Sequence, residues 1–222
     1  MNLELGGAAW RLLPQRAAWW EAQRTLVLAD VHLGKAAAFR AQGVPVPSGT
    51  TRANLARLTA LVNSLGAQRV IFLGDLLHAR QALASEAASA FASWRQAHPQ
   101  LACVLVEGNH DRAAGPVPAG FRLSVQPDPW RLGPYAFCHE PRFVPDATAL
   151  AGHLHPCVNL RGRADDSVRL ACFWIRPGLA VLPSFGEFTG GAAFAREPGD
   201  RVIAVADTSL IEIPHRAAAA RS

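Results

Sequence analysis

The segment RTLVLADVH, residues 24–32, is a short apolar run that ends in two polar side chains, Asp30 and His32. A run of this length and composition predicts a buried β-strand. The same arrangement returns in residues 69–75, where RVIFLG ends at an aspartate, and in residues 101–109, where LACVLVEG ends at an asparagine. Three buried strands, each followed by a polar side chain, are therefore expected in the first half of the chain.

Helical patterns separate these strand-like runs. Residues 50–65 carry leucine and valine at helical spacing, with Ser48 or Thr50 as a candidate N-terminal cap. An alanine-rich pattern over residues 85–97 predicts a second helix, which Pro99 would stop. Strands that alternate with helices indicate α/β layering.

The second half of the chain has shorter strand-like runs, separated by glycine, proline and aspartate. They are YAFCH (135–139), ALAGH (149–153), SVRLACFWI (167–175), AVLPSF (180–185) and RVIAVA (201–206). This spacing predicts a second, more antiparallel sheet. We expect a four-layer α/β/β/α sandwich of two mixed sheets with flanking helices. Residues 1–222 would form one domain, with a flexible tail from about residue 214.

The charge is mildly basic, at +5 with a sequence pI of about 9.7. This balance suits a polyanionic partner such as nucleic acid, although a solubilising surface explains it equally well. The four cysteines form no CxxC pair and lie mostly in apolar runs, which is typical of core residues in a reducing compartment. No secretion signal or membrane-spanning run is evident, so we expect a soluble, cytoplasmic protein without a membrane partner.

Polar residues at the ends of the strand-like runs are the main functional signal, because ligands gather at the carboxyl ends of strands in α/β sheets. The motifs are D-x-H, GD, GNHD, a single H and GHxH, in that order. Taken singly, D-x-H, GD and the single histidine are explained better by a capping aspartate or a structural histidine. GNHD is more specific, with a turn as its alternative, and the paired imidazoles of the last motif favour a metal. Their order makes five coincidences improbable. The candidate metal ligands are Asp30, His32, Asp75, Asn109, His139, His153 and His155.

The order of these motifs resembles that of the calcineurin-like metallophosphoesterase superfamily. Several longer stretches are also similar to one subgroup, the DNA-ligase-associated metallophosphoesterases of bacterial DNA-repair gene clusters. These stretches are ADVHLGKAAAFRAQGVPVPSGTT (29–51), GDLLHAR (74–80), CHEP (138–141), AGHLHP (151–156) and LPSFGEFTGG (182–191). The resemblance extends from about residue 24 to residue 206.

The resemblance implies two divalent metal ions. One would be held by Asp30, His32, Asp75 and His155, and the other by Asp75, Asn109, His139 and His153. Asp75 would bridge ions ~3.5–4 Å apart, and a hydroxide between them would attack the phosphodiester. The mixed nitrogen and oxygen ligands disfavour Mg²⁺ and Ca²⁺ and suit Mn²⁺, Fe, Co²⁺ or Zn²⁺. Manganese is expected from the family.

Further residues near the motifs have expected roles beside the metals. His110 would contact the phosphate or protonate the leaving oxygen, and Asp111 would hold His110 in one tautomer. His78 either touches substrate or is only a loop histidine. Three cations are candidates for contacts with flanking phosphates, with solvated surface charge as the equal alternative: Lys35, Arg40 and Arg112.

The expected function is a manganese-dependent DNA endonuclease that acts on single-stranded or flexible DNA in repair. The subgroup likeness implies a functional link to the DNA ligase, helicase and exonuclease of a repair cluster. The alternative is a phosphodiesterase of small nucleotides or cyclic nucleotides, which the same metal centre would serve. A catalytically inactive scaffold is disfavoured, because every ligand position holds a residue able to bind a metal.

Overall fold

Two mixed β-sheets form the framework of the protein in a computed structural model. It describes residues 1–47, 49–83, 86–161, 166–187 and 189–215, apart from the side chains of residues 81 and 161. The first sheet has seven strands in chain order. They are β1 (Asn2–Leu5), β2 (Ala8–Leu13), β3 (Ala17–Trp20), β4 (Thr25–Leu28), β5 (Arg69–Leu73), β6 (Ala102–Val106) and β7 (Ser124–Gln126).

The strand pairing changes from antiparallel to parallel across the first sheet. The strands β1 to β4 pair antiparallel, whereas β4 to β7 pair parallel. The strands of the parallel part are joined by helical crossovers, as the alternation of strand and helix patterns predicts. The antiparallel meander of β1 to β3 was not predicted from the sequence.

The second sheet is mixed and lies in the second half of the chain. Its order is β15-β14-β12-β13-β10-β9-β8, and β11 pairs with β12. Only β9, β10 and β13 run parallel, and the other pairs are antiparallel. The strands are β8 (Trp130–Leu132), β9 (Tyr135–Phe137), β10 (Thr148–Ala151), β11 (Cys157–Arg161), β12 (Ser167–Arg176), β13 (Leu179–Val181), β14 (Arg201–Ala206) and β15 (Ser209–Ile213).

The helices lie between β4 and β7 in the chain. They are α1 (Lys35–Ala41), α2 (Thr50–Leu65), α3 (Arg80–Leu83), α4 (Glu86–Ala97) and α5 (Asn109–Ala114), with 3₁₀ turns at Glu21–Gln23 and Ala119–Phe121. The prediction of a capping Thr50 is wrong, since Gly49 takes the N-cap position with φ 86° and Thr50 is already helical. The other candidate cap, Ser48, and the predicted helix start at Ser85 lie outside the described residues.

The core between the sheets follows the two-residue period of the strands. In β4 and β5, Val27 and Ile71 face the second sheet, whereas Leu26 and Phe72 face the helices α2 and α4. Burial on both faces explains why these strands read as unbroken apolar runs. The two mixed sheets with flanking helices agree with the predicted fold class. The helices α2 and α4 pack on the outer face of the first sheet.

The cysteines are buried and unpaired, as predicted for core residues. Burial raises the pKa of Cys103, Cys138 and Cys172 to about 12. No helix among the described residues is both long and apolar enough to cross a lipid bilayer. The predicted flexible tail lies mostly beyond residue 215, outside the described part of the chain.

Candidate metal centre

The polar motifs converge because the strands that precede them are in register. Leu28 pairs with Phe72 across β4 and β5, and Leu73 pairs with Val106 across β5 and β6. In the second sheet, Phe137 pairs with Leu150 across the parallel strands β9 and β10. The residues that follow these parallel strands therefore leave each sheet at one edge, and the two edges meet.

The first group of side chains combines Asp30 and His32 from the first sheet with His155 from the second. One ligand atom of each lies within 4.8 Å of the others. The Nε2 atoms of His32 and His155 are 3.4 Å apart, and His155 Nε2 lies 3.6 Å from Asp30 Oδ2. Asp30 is fully buried and His32 is 5% exposed, so two of the three donors are withdrawn from solvent.

The second group combines Asp75, His139 and His153, again with ligand atoms within 4.8 Å of one another. His139 Nε2 is the centre of this group. It lies 2.8 Å from Asn109 Oδ1, 3.0 Å from His153 Nδ1 and 3.5 Å from Asp75 Oδ1. Asn109, expected as a neutral oxygen donor, is therefore brought to this group.

Asp75 faces both groups. Its Oδ1 points toward His139, and its Oδ2 lies 3.9 Å from His32 Nε2. A carboxylate that presents one oxygen to each group can bridge two ions. The structure therefore brings together the seven predicted ligands as two adjoining groups with Asp75 between them.

The donor chemistry fits metal ions better than a network of hydrogen bonds. His139 Nδ1 donates to the carbonyl of Leu73 at 3.1 Å, so its Nε2 carries a lone pair and faces the oxygens of Asn109 and Asp75. His155 Nδ1 donates likewise to the carbonyl of Thr189 at 3.0 Å. Acceptor atoms that face one another are stable when a cation lies between them, and carbonyl partners of this kind are typical of metal-binding imidazoles.

Burial gives further support for bound cations. Asp30 Oδ1 is buried without a hydrogen-bond partner among the described residues. Burial raises the pKa of Asp75 and lowers that of His32. Burial also lowers the pKa of His155, but the contact with Asp30 and the hydrogen bond to the carbonyl of Thr189 together outweigh this effect, so the pKa is raised. Buried ionisable groups of this kind are costly unless they pair with an opposite charge or bind a metal.

Backbone strain is concentrated in the same residues. Positive φ angles occur at Asp30 (53°), His32 (49°), Asp75 (47°), His153 (68°) and His155 (46°). These are five of the ten non-glycine residues with positive φ in the described part of the chain. Such conformations persist only where the surroundings enforce them, and they cluster at functional sites.

Close packing explains the glycine of two motifs. A Cβ added at Gly74 would lie 2.2 Å from His139 Nδ1, and one at Gly108 would lie 2.4 Å from Asp75 Oδ1. Both distances are far below contact, so a side chain at either position would displace a candidate ligand. The glycines in GD and GNHD therefore provide room for the metal centre.

His110 and His78 form one wall of the centre. Their rings stack with centroids 5.2 Å apart, and the His110 ring is 5.3 Å from that of His32. His110 Nδ1 donates to the backbone carbonyl of His78 at 2.7 Å. The pKa of His78 is lowered to about 4. Burial is the main cause, and the charges of Lys35 and His110 act in the same direction. The structure thus places His78 beside the candidate ligands, where contact with substrate remains a prediction.

Asp111 does not orient His110, which corrects the expectation from the sequence. Its Oδ1 accepts the backbone N–H of Leu77 at 2.9 Å, and its Oδ2 accepts that of Gly108 at 3.0 Å. Burial raises the pKa of Asp111 to about 6. Asp111 therefore ties together the loops that follow β5 and β6, while the carbonyl of His78 fixes the His110 ring.

The three candidate cations have different surroundings. Burial lowers the pKa of Lys35, and the nearby charges of Asp30 and Asp75 oppose this shift, which places the side chain near the metal centre. Arg40 donates to the carbonyl of Pro47 at 3.0 Å, and Arg112, in α5, donates to the carbonyl of Glu107 just before this helix. Neither arginine contacts a candidate ligand in the part of the chain that the structure describes.

Comparisons with known proteins agree with this geometry. The family model for calcineurin-like phosphoesterases matches residues 23–157. The chain is similar to the nuclease MPE of Pseudomonas putida, with 40% identity, a TM-score of 0.84 and coverage of 95% of this chain and 99% of that one. A phosphoesterase of E. coli, Yfce, gives 16% identity and a TM-score of 0.42 over 85% and 97% of the chains, too little to support an argument. No curated protein sequence matches the chain.

Proposed function

This chain belongs to the calcineurin-like phosphoesterase family, and we propose that it is a manganese-dependent endonuclease that cleaves single-stranded or flexible DNA. The observation that carries the proposal is the pair of adjoining donor groups, with Asp75 facing both. The similarity to a Pseudomonas nuclease over nearly the whole chain favours a nucleic acid as substrate. The net charge of +5 suits the same polyanion.

The candidate ligands would hold two divalent ions. Asp30, His32 and His155 would hold one, His139, His153 and Asn109 the other, and Asp75 would serve both. When bound, such ions lower the pKa of a water molecule and neutralise charge on the phosphoryl oxygens. The carbonyls that hold His139 and His155 keep the lone pair of each Nε2 directed into the centre. Manganese is proposed because imidazole and carboxylate ligands suit it and the family resemblance favours it.

His110 would donate a proton to the leaving oxygen of the cleaved strand. Its Nδ1 is committed to the carbonyl of His78, so Nε2 is the ring atom free to exchange a proton with substrate. The stacked His78 ring restricts the orientation of His110 and shields one of its faces. Lys35, half-buried near the two carboxylates, would add positive charge on the same side of the centre.

Cleavage of a circular single-stranded DNA tests the proposal. A circle has no ends, so its conversion to linear and shorter products requires an endonuclease. We expect cleavage with Mn²⁺ and none with a chelator in excess, and hydrolysis of bis-p-nitrophenyl phosphate should follow the same metal dependence. If the protein hydrolyses the small diester and leaves the circle intact, the substrate is a small nucleotide diester and the DNA proposal is wrong.

The wider setting follows from the same proposal. We propose that the chain is one domain and that it acts in the cytoplasm during DNA repair. Its work would be linked to that of a DNA ligase, a helicase and an exonuclease, as the sequence resemblance implies. Sensitivity of a deletion strain to DNA-damaging agents, with rescue by the wild-type gene and not by an Asp75→Ala variant, would test this setting.

A further inference from the structure

A second cavity adjoins the metal centre on the side of His155. Its volume is about 280 Å³. Its lining includes Arg16 and Arg169 together with His155, Ser184 and Thr189, and none of the lining residues that the structure describes is acidic. A cavity with this charge suits an anionic group about the size of a phosphate with its sugar.

The cavity and the metal centre share structural elements. His155 lines the cavity, and its Nε2 belongs to the first donor group. The carbonyl of Thr189, another lining residue, accepts the Nδ1–H of His155. Ser184 Oγ donates to the backbone carbonyl of Asp30 at 2.7 Å. A group in the cavity would therefore lie directly beside the metal centre.

Arg16 is a cation without a side-chain partner among the residues that the structure describes. It lies in the turn between β2 and β3 with φ 63°, and its backbone N–H donates to the carbonyl of Leu13. The residue is half-buried, and its guanidinium has neither a hydrogen bond nor an ion pair within the described ranges. The nearby carboxylate of Glu187 lies 3.8 Å from Arg57 instead. A partly buried charge left unpaired in this way is suited to an anionic ligand.

Arg169 is held in place from one side. Its Nε donates to Cys157 Sγ at 3.2 Å, and its Nη2 donates to the carbonyl of Gly191. Among the described residues, nothing accepts a hydrogen bond from its Nη1. An arginine fixed in this way presents its remaining donors at a set position, which favours recognition of phosphate oxygens.

We propose that this cavity binds a phosphate group of the nucleic-acid strand next to the one being cleaved, with Arg16 and Arg169 as its contacts. The inference rests on the proposed nuclease function and identifies where the strand continues from the metal centre. A small diester such as bis-p-nitrophenyl phosphate has no flanking phosphate and would leave the cavity empty. The two arginines should therefore affect polymer substrates alone.

The salt dependence of binding to a single-stranded oligonucleotide tests the proposal, in the presence of a chelator so that no cleavage occurs. For single strands, the slope of log K against log salt becomes shallower by ~0.7 for each phosphate that the protein no longer neutralises. We expect this shallower slope for Arg16→Ala and a slope near wild type for Arg16→Lys. With Mn²⁺, Arg16→Ala should raise the KM for DNA about tenfold and leave hydrolysis of bis-p-nitrophenyl phosphate unchanged.

Arg122→Ala is the matched control. Arg122 also has a positive φ, 46°, and its backbone N–H also closes a turn. It precedes β7, so it lies at the end of the first sheet opposite the metal centre. Both alanine variants should thus have similar stability, while Arg122→Ala should keep the wild-type salt slope.

Each result separates the inference from the proposed function. If wild-type protein cleaves DNA and Arg16→Ala matches it in salt slope and KM, the cavity assignment is wrong and the nuclease proposal stands. Equal losses on DNA and on the small diester would show that Arg16 acts through the metal centre, which also overturns the assignment.

A further experiment adds inorganic phosphate to the assay with bis-p-nitrophenyl phosphate. Inhibition that depends on Arg16 would identify a site for free phosphate instead of a strand. A wild-type protein inactive on DNA would refute the nuclease proposal itself.

Discussion

The two sheets contribute unlike halves of the metal centre. The first sheet supplies the oxygen donors, from Asp30, Asp75 and Asn109, whereas the second supplies imidazoles alone. Burial differs too, because the two carboxylates of the first sheet are at most 2% exposed and His153 of the second is exposed. The first half therefore provides the buried negative charge that attracts cations, and the second provides imidazole ligands that range from the fully buried His139 to the exposed His153.

Each half is also held in place by the other. Asp30 Oδ2 accepts the backbone N–H of His153 at 2.8 Å, from the loop that follows β10. In return, His139 donates to the carbonyl of Leu73, the last residue of β5. The geometry of the centre thus depends on the packing of the two sheets, and a single strand edge would not produce it.

We expect the largest effect from the replacement of Asp75, because both donor groups of the metal centre depend on its carboxylate. Asp75→Ala removes the carboxylate whose two oxygens face the two donor groups, so we expect loss of both metals and of hydrolysis. His153→Ala removes an exposed ligand from the second group only, so one metal and a residual rate should remain. Metal content per chain and hydrolysis of bis-p-nitrophenyl phosphate measure both effects.

Asp207→Ala is a suitable control for Asp75→Ala. Asp207 is an exposed aspartate with a similar positive φ, 52°, in the turn between β14 and β15. Its replacement should change neither metal content nor rate. If Asp75→Ala keeps two metals, or if His153→Ala loses both, the proposed division between the two sheets is wrong.

The next effect concerns proton transfer, which we assign to the side of the first sheet. His110→Ala should slow DNA cleavage by ~10²–10⁴-fold, because a sugar hydroxyl is a poor leaving group and requires a proton. p-Nitrophenolate leaves without protonation, so hydrolysis of bis-p-nitrophenyl phosphate should change little. The ratio of the two rates is the measurement. His98→Ala is a control, since His98 bonds to Trp94 at the end of α4. Equal losses on both substrates would exclude His110 as the proton donor.

The sequence predicted those features that depend on local pattern. Helix α2 begins and ends at the predicted residues, and each metal motif follows a strand that its apolar run indicated. The strands β1 to β3 were missed because their place is decided by distant contacts, and not because of their length, since β2 is longer than the predicted β4. Trp10, Trp20 and Tyr135 pack together with ring centroids 4.7 to 5.3 Å apart, although Tyr135 belongs to the other sheet.

The contacts that orient the side chains of the metal centre could not be predicted from the sequence either. Leu73, His78 and Thr189 position imidazoles through their backbone carbonyls, and any residue type offers a carbonyl. The role of Asp111 was misread for the same reason, since its partners are backbone N–H groups and not the adjacent histidine. Residue types predicted which groups form the centre, whereas backbone geometry decides how they are held.

The smallest of the three effects tests how much room the first half of the centre has. A Cβ at Gly108 would lie 2.4 Å from Asp75 Oδ1 and 2.5 Å from the Asp75 backbone nitrogen, so Gly108→Ala must push β5 and β6 apart at their ends. We expect the free energy of unfolding to fall by ~1–3 kcal/mol, as for other overpacked sites. Gly120→Ala is the control, because its Cβ would meet nothing closer than 3.9 Å and its stability should stay near wild type.

Denaturant unfolding with a chelator present measures the packing effect alone, and repetition with Mn²⁺ measures the effect on metal binding. A larger loss in the metal-bound state would show that the displaced Asp75 holds the ions, whereas equal losses in both states would assign Gly108 to the packing of the strands and not to the centre.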